Sequence, residues 1–123
     1  TPHEGEFGLL FGISGTKENV KKMAKKYGWV ILKKDPRGDI ITDGKQIFVN
    51  RTHNQGMTKG GTGDVLSGLV AALACKNEPL VATIAGAHFC GTTGNVLKKE
   101  FGFNFSASDL ANGLARTIKQ IWK

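Results

Sequence analysis

Hydrophobic residues near the start of the chain recur with the period of a helix. In the segment TKENVKKMAKKYG, the positions i, i+3, i+4 and i+7 are filled by Val20, Met23, Ala24 and Tyr27. This spacing predicts an amphipathic helix over residues 16–27, with Ser14 or Thr16 as its cap and Gly28 as its stop. Before this helix, we expect at most a turn of helix over residues 7–11.

The next part of the chain has the pattern of short strands. Residues 29–32 form a continuous apolar run between a glycine and a lysine, which is typical of a buried strand. A second strand is predicted at residues 39–42 and a third at residues 46–50. Asp43 and Gly44 between them form a dipeptide that is typical of a hairpin turn.

Beyond residue 60 the period is helical again. Apolar positions predict a helix over residues 62–75, and Pro79 suits the first turn of another helix that extends to about residue 98. Ser106, with Asp109 three residues later, resembles a capping box at the start of a last helix. Strands that follow one helix and precede three more favour an α/β or α+β layered fold.

The net charge of +7 raises the question of a nucleic-acid-binding surface. Five lysines, however, fall mostly on the face of the first long helix that lies opposite its apolar stripe, where a solvated surface is the ordinary interpretation. They are Lys17, Lys21, Lys22, Lys25 and Lys26. No aromatic residues are interleaved with them to stack on bases, so we expect no nucleic-acid partner.

Two further observations concern the membrane and the cysteines. No apolar run approaches the roughly 20 residues that a bilayer-spanning helix needs, and we expect no membrane partner. Cys75 and Cys90 lack the spacing of a zinc site. We therefore expect two buried thiols in a reduced, cytoplasmic protein.

The stretch NQGMTKGGTGDVLSG places four glycines within eight residues, directly before a predicted helix. A helix start exposes unpaired N–H groups with partial positive charge, and glycines let successive N–H groups converge on one anion. The stretch therefore predicts a phosphate site at Gly60, Gly61 and Gly63. The alternative is an ordinary cap made by Thr62, with Asp64 favouring the helix dipole, but such a cap needs one glycine.

Asp64 needs a role of its own, because an acid beside a bound phosphate is electrostatically unfavourable. The stretch is not a Walker A loop, which requires Lys-Ser or Lys-Thr after the glycine. Asp64 can accept a proton from a hydroxyl group that attacks the phosphate, or it can help to hold Mg²⁺. The residues alone leave both roles open.

Together these motifs resemble a known family. GGTGDVLSG resembles the anion-binding signature of the ribokinase-like superfamily. TPHEGEF at the start, followed by NQGMTKGGTGDVLSG, is similar to the paired motifs of the ADP- or ATP-dependent NAD(P)H-hydrate dehydratases. The resemblance implies that a nucleotide phosphorylates the ring hydroxyl of hydrated NADH or NADPH, and that loss of phosphate restores the normal cofactor. It covers nearly the whole chain.

The resemblance also implies roles for individual residues. Asp64 corresponds to the catalytic base, which also contacts the substrate, and His3 and Asn54 correspond to substrate-binding residues. Lys34 stands where the family has glycine, and Gln55 where it often has proline. The implied nucleotide-binding residues are Lys33, Lys34, Asp35, Pro36 and Arg37 after the first strand, and Gly60, Gly61, Thr62 and Gly63 in the glycine loop.

The residues alone suggest plainer roles for several of these side chains. His3 has the ordinary interpretation of a surface residue, and Phe7 occupies the second histidine position of HExxH, so no zinc site is predicted. We expect His53 to face solvent and His88 to pack between helices. Asn54 could equally shape the loop or line the substrate pocket.

The resemblance implies a particular domain and set of partners. Residues 1–123 are expected to be the C-terminal portion of one ribokinase-like domain with α/β/α layers, whose upstream half is absent here. ADP or ATP is the implied co-substrate, with Mg²⁺, and the threonine of GGTGD favours ADP. We expect a homo-oligomer or an upstream half supplied as a separate chain. The alternatives are a ribokinase-like kinase of a small alcohol and a basic module that binds an anion or nucleic acid.

Overall fold

The computed structural model describes residues 1–122 and contains helices around a small sheet. The helices are α1 (Glu4–Phe11), α2 (Lys17–Tyr27), α3 (Thr62–Ala74), α4 (Pro79–Phe101) and α5 (Ala107–Ile121). The strands are β1 (Ile31–Lys33), β2 (Asp39–Thr42) and β3 (Ile47–Asn50), and a 3₁₀ helix at Gln55–Met57 precedes α3. The order and type of the predicted elements are confirmed.

Helix α1 begins three residues earlier than predicted because its first turn is capped in an unusual way. Nδ1 of His3 accepts a hydrogen bond from the backbone N–H of Glu6 (3.2 Å). The Glu6 carboxylate in turn accepts one from the backbone N–H of His3 (2.8 Å). This is a capping box in which histidine replaces the usual serine or threonine.

The other predicted helix boundaries follow ordinary capping chemistry. Thr16 caps α2 and Gly28 ends it in the left-handed conformation, as predicted. Ser106 and Asp109 cap α5 through reciprocal hydrogen bonds. Helix α4 extends three residues past the predicted end and stops before Gly102.

The three strands form one antiparallel sheet in the order β1-β2-β3. Leu32 of β1 pairs with Ile41 of β2, which pairs with Phe48 of β3. The predicted turn between β2 and β3 is confirmed. Gly44 has a positive φ of 87°, and the Asp43 carboxylate accepts hydrogen bonds from the N–H groups of the two residues after Gly44.

Each face of the sheet buries its own hydrophobic cluster. On one face, Ile31 and Ile40 pack against α1 and α2 through Phe7, Val20, Met23 and Ala24. On the other face, Leu32 and Ile41 pack against α3 and α4 through Leu66, Ala87 and Cys90. A third cluster joins α4 and α5 through Leu97, Phe105 and Leu110. The predicted α/β/α layering is confirmed.

The small residues in the middle of α4 allow other parts of the chain to come very close. A Cβ on Gly91 would collide with the backbone carbonyl of Thr52, and one on Gly94 would collide with the Met57 side chain. A Cβ on Gly86 would lie 2.6 Å from the side chain of Val70 in α3. Helix α4 therefore serves as the support for both α3 and the segment that leads into the glycine loop.

Several surface expectations can now be compared with the structure. The lysine-rich side of α2 is mainly exposed, which confirms the solvated-face interpretation. Cys90 is buried and its pKa is raised to about 11 by burial, but Cys75 is exposed near the end of α3, so its predicted burial was wrong. Within residues 1–122, no helix is long and apolar enough to span a membrane.

Candidate active site

An open cleft of about 2050 Å³ runs along one side of the molecule. Its walls include the start of α1, the segment after β1, and the glycine loop with the first turn of α3, which are far apart in sequence. His3, residues 33–37, Asn54 and residues 60–64 all line it. The structure therefore brings together all of the predicted site residues.

The glycine loop is held in shape by its own side chains. The Thr62 hydroxyl lies within hydrogen-bond distance of the backbone carbonyls of Met57 (2.7 Å) and Lys59 (2.9 Å). Gly61 adopts a positive φ of 88°, a conformation that a residue with a side chain rarely adopts, and it is the N-cap of α3. Thr62 thus fixes the loop and leaves the start of α3 turned toward the cleft.

Within residues 1–122, no side chain caps the N-terminus of α3. In contrast, α1, α2 and α5 are capped by His3, Thr16 and Ser106. Among residues 1–122, the backbone N–H groups of residues 62–64 have no hydrogen-bond acceptor. Three unpaired donors at the positive end of a helix form an arrangement suited to a phosphate group.

Asp64 lies in the first turn of α3, directly beside these donors, and its side chain is exposed in the cleft wall. One turn later, the Ser67 hydroxyl donates to the backbone carbonyl of Gly63 (2.9 Å) and is 2.7 Å from the Thr1 hydroxyl. Asp64 is therefore next to the open N–H groups and accessible to a ligand in the cleft.

Lys33 holds the floor of the cleft together. Its side chain is 4% exposed, and its Nζ lies 2.6 Å from Glu4 and 2.9 Å from Asp35. Burial acts to lower the pKa of Lys33, but its hydrogen bonds to these two carboxylates outweigh burial and raise it. Glu4 also accepts from the N–H of Gly15 (2.8 Å). Lys33 is thus committed to structural ion pairs, and its contact with nucleotide stays a prediction.

Lys34 is the first residue after β1. Its Nζ lies at Gly63, where an added Cβ would be only 3.0 Å away. The same Nζ is 3.9 Å from a carboxylate oxygen of Glu6, at the limit of an ion pair. The end of β1 therefore delivers a lysine side chain to the open end of α3.

The DPR segment forms a tight loop at the cleft edge. The Asp35 carboxylate accepts hydrogen bonds from the backbone N–H (3.0 Å) and the Nε (3.3 Å) of Arg37. The backbone bond from Arg37 and the Lys33 ammonium keep the pKa of Asp35 well below its usual range. The Pro36 carbonyl lies 3.0 Å from Nε2 of His53. These bonds fix the loop, while 91% of the Arg37 side chain remains exposed.

Two histidine expectations were wrong. His53 is only partly exposed and makes the contact with the Pro36 carbonyl, whereas His88, expected to pack between helices, is exposed. His53 lies near Asp39, whose pKa is raised by burial. A hydrogen bond from Asn50 to Asp39 (3.2 Å) partly offsets this effect. The burial of Asp39 depends on tertiary packing, which sequence patterns do not reveal.

The two predicted substrate residues have structural partners as well as cleft positions. The Asn54 amide donates to the side-chain oxygen of Asn95 (2.9 Å), and its oxygen accepts from the N–H of Gly56 (2.9 Å). His3 caps α1 through Nδ1, while Nε2 is 3.4 Å from Glu6. Sequence reasoning missed Glu6 and Asn95, although a glutamate three residues after a helix cap is a recognisable signal.

Comparison with known proteins identifies the relationship. The NAD(P)H-hydrate dehydratase family pattern matches residues 1–116. The chain belongs to this family. The family name agrees with the resemblance carried by TPHEGEF and the glycine loop.

Curated relatives are similar over almost the whole chain. The bifunctional NAD(P)H-hydrate repair enzyme Nnr of Archaeoglobus fulgidus is 45% identical over 118 residues, which are 96% of this chain and 24% of that protein. The ADP-dependent (S)-NAD(P)H-hydrate dehydratase of Nitrosopumilus maritimus is 39% identical over 126 residues, 97% of this chain and 44% of that protein. The chain thus spans less than half the length of these dehydratase-family relatives.

Solved structures support the same fold. A UPF0031 family member from Bacillus subtilis, YxkO, superposes with a TM-score of 0.87 at 28% identity, covering 97% of this chain and 47% of that one. The Streptococcus mutans protein SMU.573 has a TM-score of 0.80 at 16% identity, over 99% and 46% of the two chains. The predicted ribokinase-like α/β/α class is confirmed, and the chain corresponds to part of such a fold.

Proposed function

We propose that this chain supplies the nucleotide-phosphate site and the catalytic base of an ADP-dependent NAD(P)H-hydrate dehydratase. One observation carries the proposal: three unpaired N–H groups at the start of α3 lie beside the exposed carboxylate of Asp64 in a cleft. Membership of the family and the ADP-dependent name of the Nitrosopumilus relative support the reaction and the nucleotide.

The proposed chemistry divides between backbone and side chain. The N–H groups of residues 62–64 hold the transferred phosphoryl group and stabilise the charge that develops on its oxygens. Asp64 accepts the proton of the ring hydroxyl as that oxygen bonds to phosphorus and the bond to the leaving nucleotide breaks. Phosphate then leaves the ring, and the neighbouring ring carbon loses a proton to solvent. This elimination restores the double bond.

Mg²⁺ fits this site only together with the nucleotide. Within residues 1–122, no group of three or more potential metal-binding side chains is present. Mg²⁺ commonly uses one or two carboxylates and takes the rest of its ligands from phosphates and water. Asp64 and the nucleotide phosphates would hold it, and the ion would neutralise charge on the phosphoryl oxygens.

The substrate and partners belong to the same proposal. His3 and Asn54 line the cleft and would contact hydrated NADH or NADPH, while residues 33–37 would line the nucleotide. The remainder of the dehydratase domain would complete the substrate side, as a separate chain or within an oligomer. We place the protein in the cytoplasm, where NADH and NADPH are used.

We propose that the 123-residue chain alone does not convert hydrated NADH. One reason is that the chain spans only 44% of the Nitrosopumilus dehydratase. The other is that Leu9, an apolar residue that lines the cleft, is 90% exposed. Addition of the remaining region of that dehydratase is expected to restore turnover, measured by NADH absorbance. An active monomer by size-exclusion chromatography would refute the incomplete-domain interpretation.

The decisive test of the base is Asp64→Asn in the completed enzyme. Turnover should fall by roughly 10²–10⁴-fold, the usual effect of removing a general base. ADP binding should change little, because the backbone donors remain. Glu100→Gln, which neutralises an exposed acid of α4 outside the cleft, is the control. Retention of half the activity in Asp64→Asn would exclude the role, and turnover of alcohols but not hydrated NADH would favour a kinase.

A further inference from the structure

Lys34 occupies an electrostatically unusual position. Its Nζ lies against Gly63 in the first turn of α3, so a cation faces the positive end of a helix. Such a pairing is unfavourable unless an anion lies between the two. Among residues 1–122, the Lys34 ammonium has no hydrogen-bond acceptor, and its contact with Glu6 at 3.9 Å is long. Lys34 thus has three donors available in the cleft.

Two other lysines that line the cleft, Lys33 and Lys59, are already engaged by other groups. The Lys33 ammonium is buried between Glu4 and Asp35. Lys59, directly before the glycine loop, turns away and donates to the backbone carbonyls of Phe103 (2.9 Å) and Phe105 (2.5 Å). Lys34, at 31% side-chain exposure, retains its donors.

Glu6 is the carboxylate that lies near the Lys34 ammonium in this structure. Its side chain is 53% exposed and also caps α1 through the backbone N–H of His3. That backbone hydrogen bond lowers the pKa of Glu6, so the carboxylate is ionised at neutral pH. A phosphoryl group on the open end of α3 would offer Lys34 a shorter, doubly charged partner than Glu6.

We propose that Lys34 binds the phosphoryl group seated on α3 and exchanges its Glu6 contact for that phosphate when nucleotide enters. The proposal rests on the proposed function, because it assumes that the start of α3 is the phosphate site. Under this proposal, Lys34 makes the site favour ligands that carry a diphosphate over ligands that carry none. Glu6 competes with the phosphate for the Lys34 ammonium.

The test measures binding of inorganic pyrophosphate and ADP by titration calorimetry at low salt. Lys34→Met should weaken both ligands roughly tenfold or more, the effect of losing a charged hydrogen bond. Lys34→Arg should retain most of the affinity. Lys45→Met, which removes the same charge from an exposed hairpin turn outside the cleft, should stay within about twofold of wild type.

A second variant predicts a gain. Glu6→Gln keeps the capping box, since glutamine also serves at this position, but removes the competing charge. Pyrophosphate should then bind severalfold more tightly, and Lys34→Met in the same chain should abolish the gain, as a double-mutant cycle requires. A merely structural role for either residue predicts loss of affinity in both single variants.

The outcomes separate the two proposals. If wild type binds pyrophosphate and ADP but Lys34→Met matches Lys45→Met, the role of Lys34 is wrong and the phosphate site stands. If Glu6→Gln weakens binding while circular dichroism shows an intact fold, the exchange is also wrong. If wild type binds neither ligand, the phosphate site itself fails and the proposal for Lys34 falls with it.

Discussion

Replacing Lys33 by methionine should destabilise the fold by about 2 kcal/mol while leaving the glycine loop intact. Methionine keeps most of the buried stem of the side chain, so the principal loss is the ammonium. A charged hydrogen bond contributes about 1.5–3 kcal/mol, and Asp35, with 10% of its side chain exposed, loses one. Glu4 is 56% exposed, so its ion pair is screened and adds about 0–1 kcal/mol. Hydrogen bonds from Arg37 keep Asp35 partly satisfied.

Urea unfolding followed by circular dichroism measures this change, provided the slope m is unaltered. Lys25→Met on the exposed side of α2 is the matched control and should change stability by less than about 0.5 kcal/mol. If Lys33→Met were as stable as the control, the ammonium would not hold the cleft floor. A loss of pyrophosphate binding without loss of stability would instead return Lys33 to a direct nucleotide role.

The same variant should alter the response to acid. The folded-state pKa of Asp35 lies below its ordinary value of 3.8, so its contribution to stability is present above that value. The contribution is lost progressively as pH falls from about 4 through the lowered folded-state pKa. Lys33→Met removes part of the cause of the lowered pKa, so the stability difference between wild type and variant should stay nearly constant down to about pH 3 and shrink below it, as Asp35 becomes protonated in the folded state. A difference that does not shrink below about pH 3 would contradict the ion-pair account.

Three further predictions concern packing, capping and thiol access. Gly91→Ala should lower the free energy of unfolding by about 1–3 kcal/mol or more, because the added Cβ collides with a backbone carbonyl. At Gly68 an added Cβ meets nothing within 4 Å, so Gly68→Ala should stabilise α3 by roughly 0.5–1 kcal/mol. Urea unfolding of both variants measures the two changes. Ser106→Ala should lower stability by about 1 kcal/mol through loss of the cap, measured the same way. A thiol reagent should label Cys75 within the native protein and reach Cys90 only on unfolding, as mass spectrometry of the labelled chain would report.

Local chemistry explains why much of the fold was predictable. The cap at Thr16, the stop at Gly28 and the turn at Gly44 each depend on residues within a few positions of one another. The glycine loop was equally legible, because the density of glycines before Asp64 is itself the signal. These features require no knowledge of distant contacts.

Features that depend on tertiary packing were not predictable. Lys59 is the lysine nearest to the glycines in sequence, yet it turns away to the carbonyls of Phe103 and Phe105. Lys34 reaches Gly63 only because β1 ends beside α3, so its direction depends on the pairing of the sheet. The partial burial of His53 and the exposure of Cys75 likewise depend on which surfaces other elements cover.

The glycines of α4 link the stability of that helix to the order of the glycine loop. Gly86, Gly91 and Gly94 each weaken an isolated helix by about 1 kcal/mol relative to alanine. The contacts they permit, with α3, Thr52 and Met57, recover this loss only when those segments are docked. The middle of α4 and the loop should therefore open as one cooperative unit. Nucleotide bound at the loop would then slow amide exchange in the middle of α4 as well as in the loop.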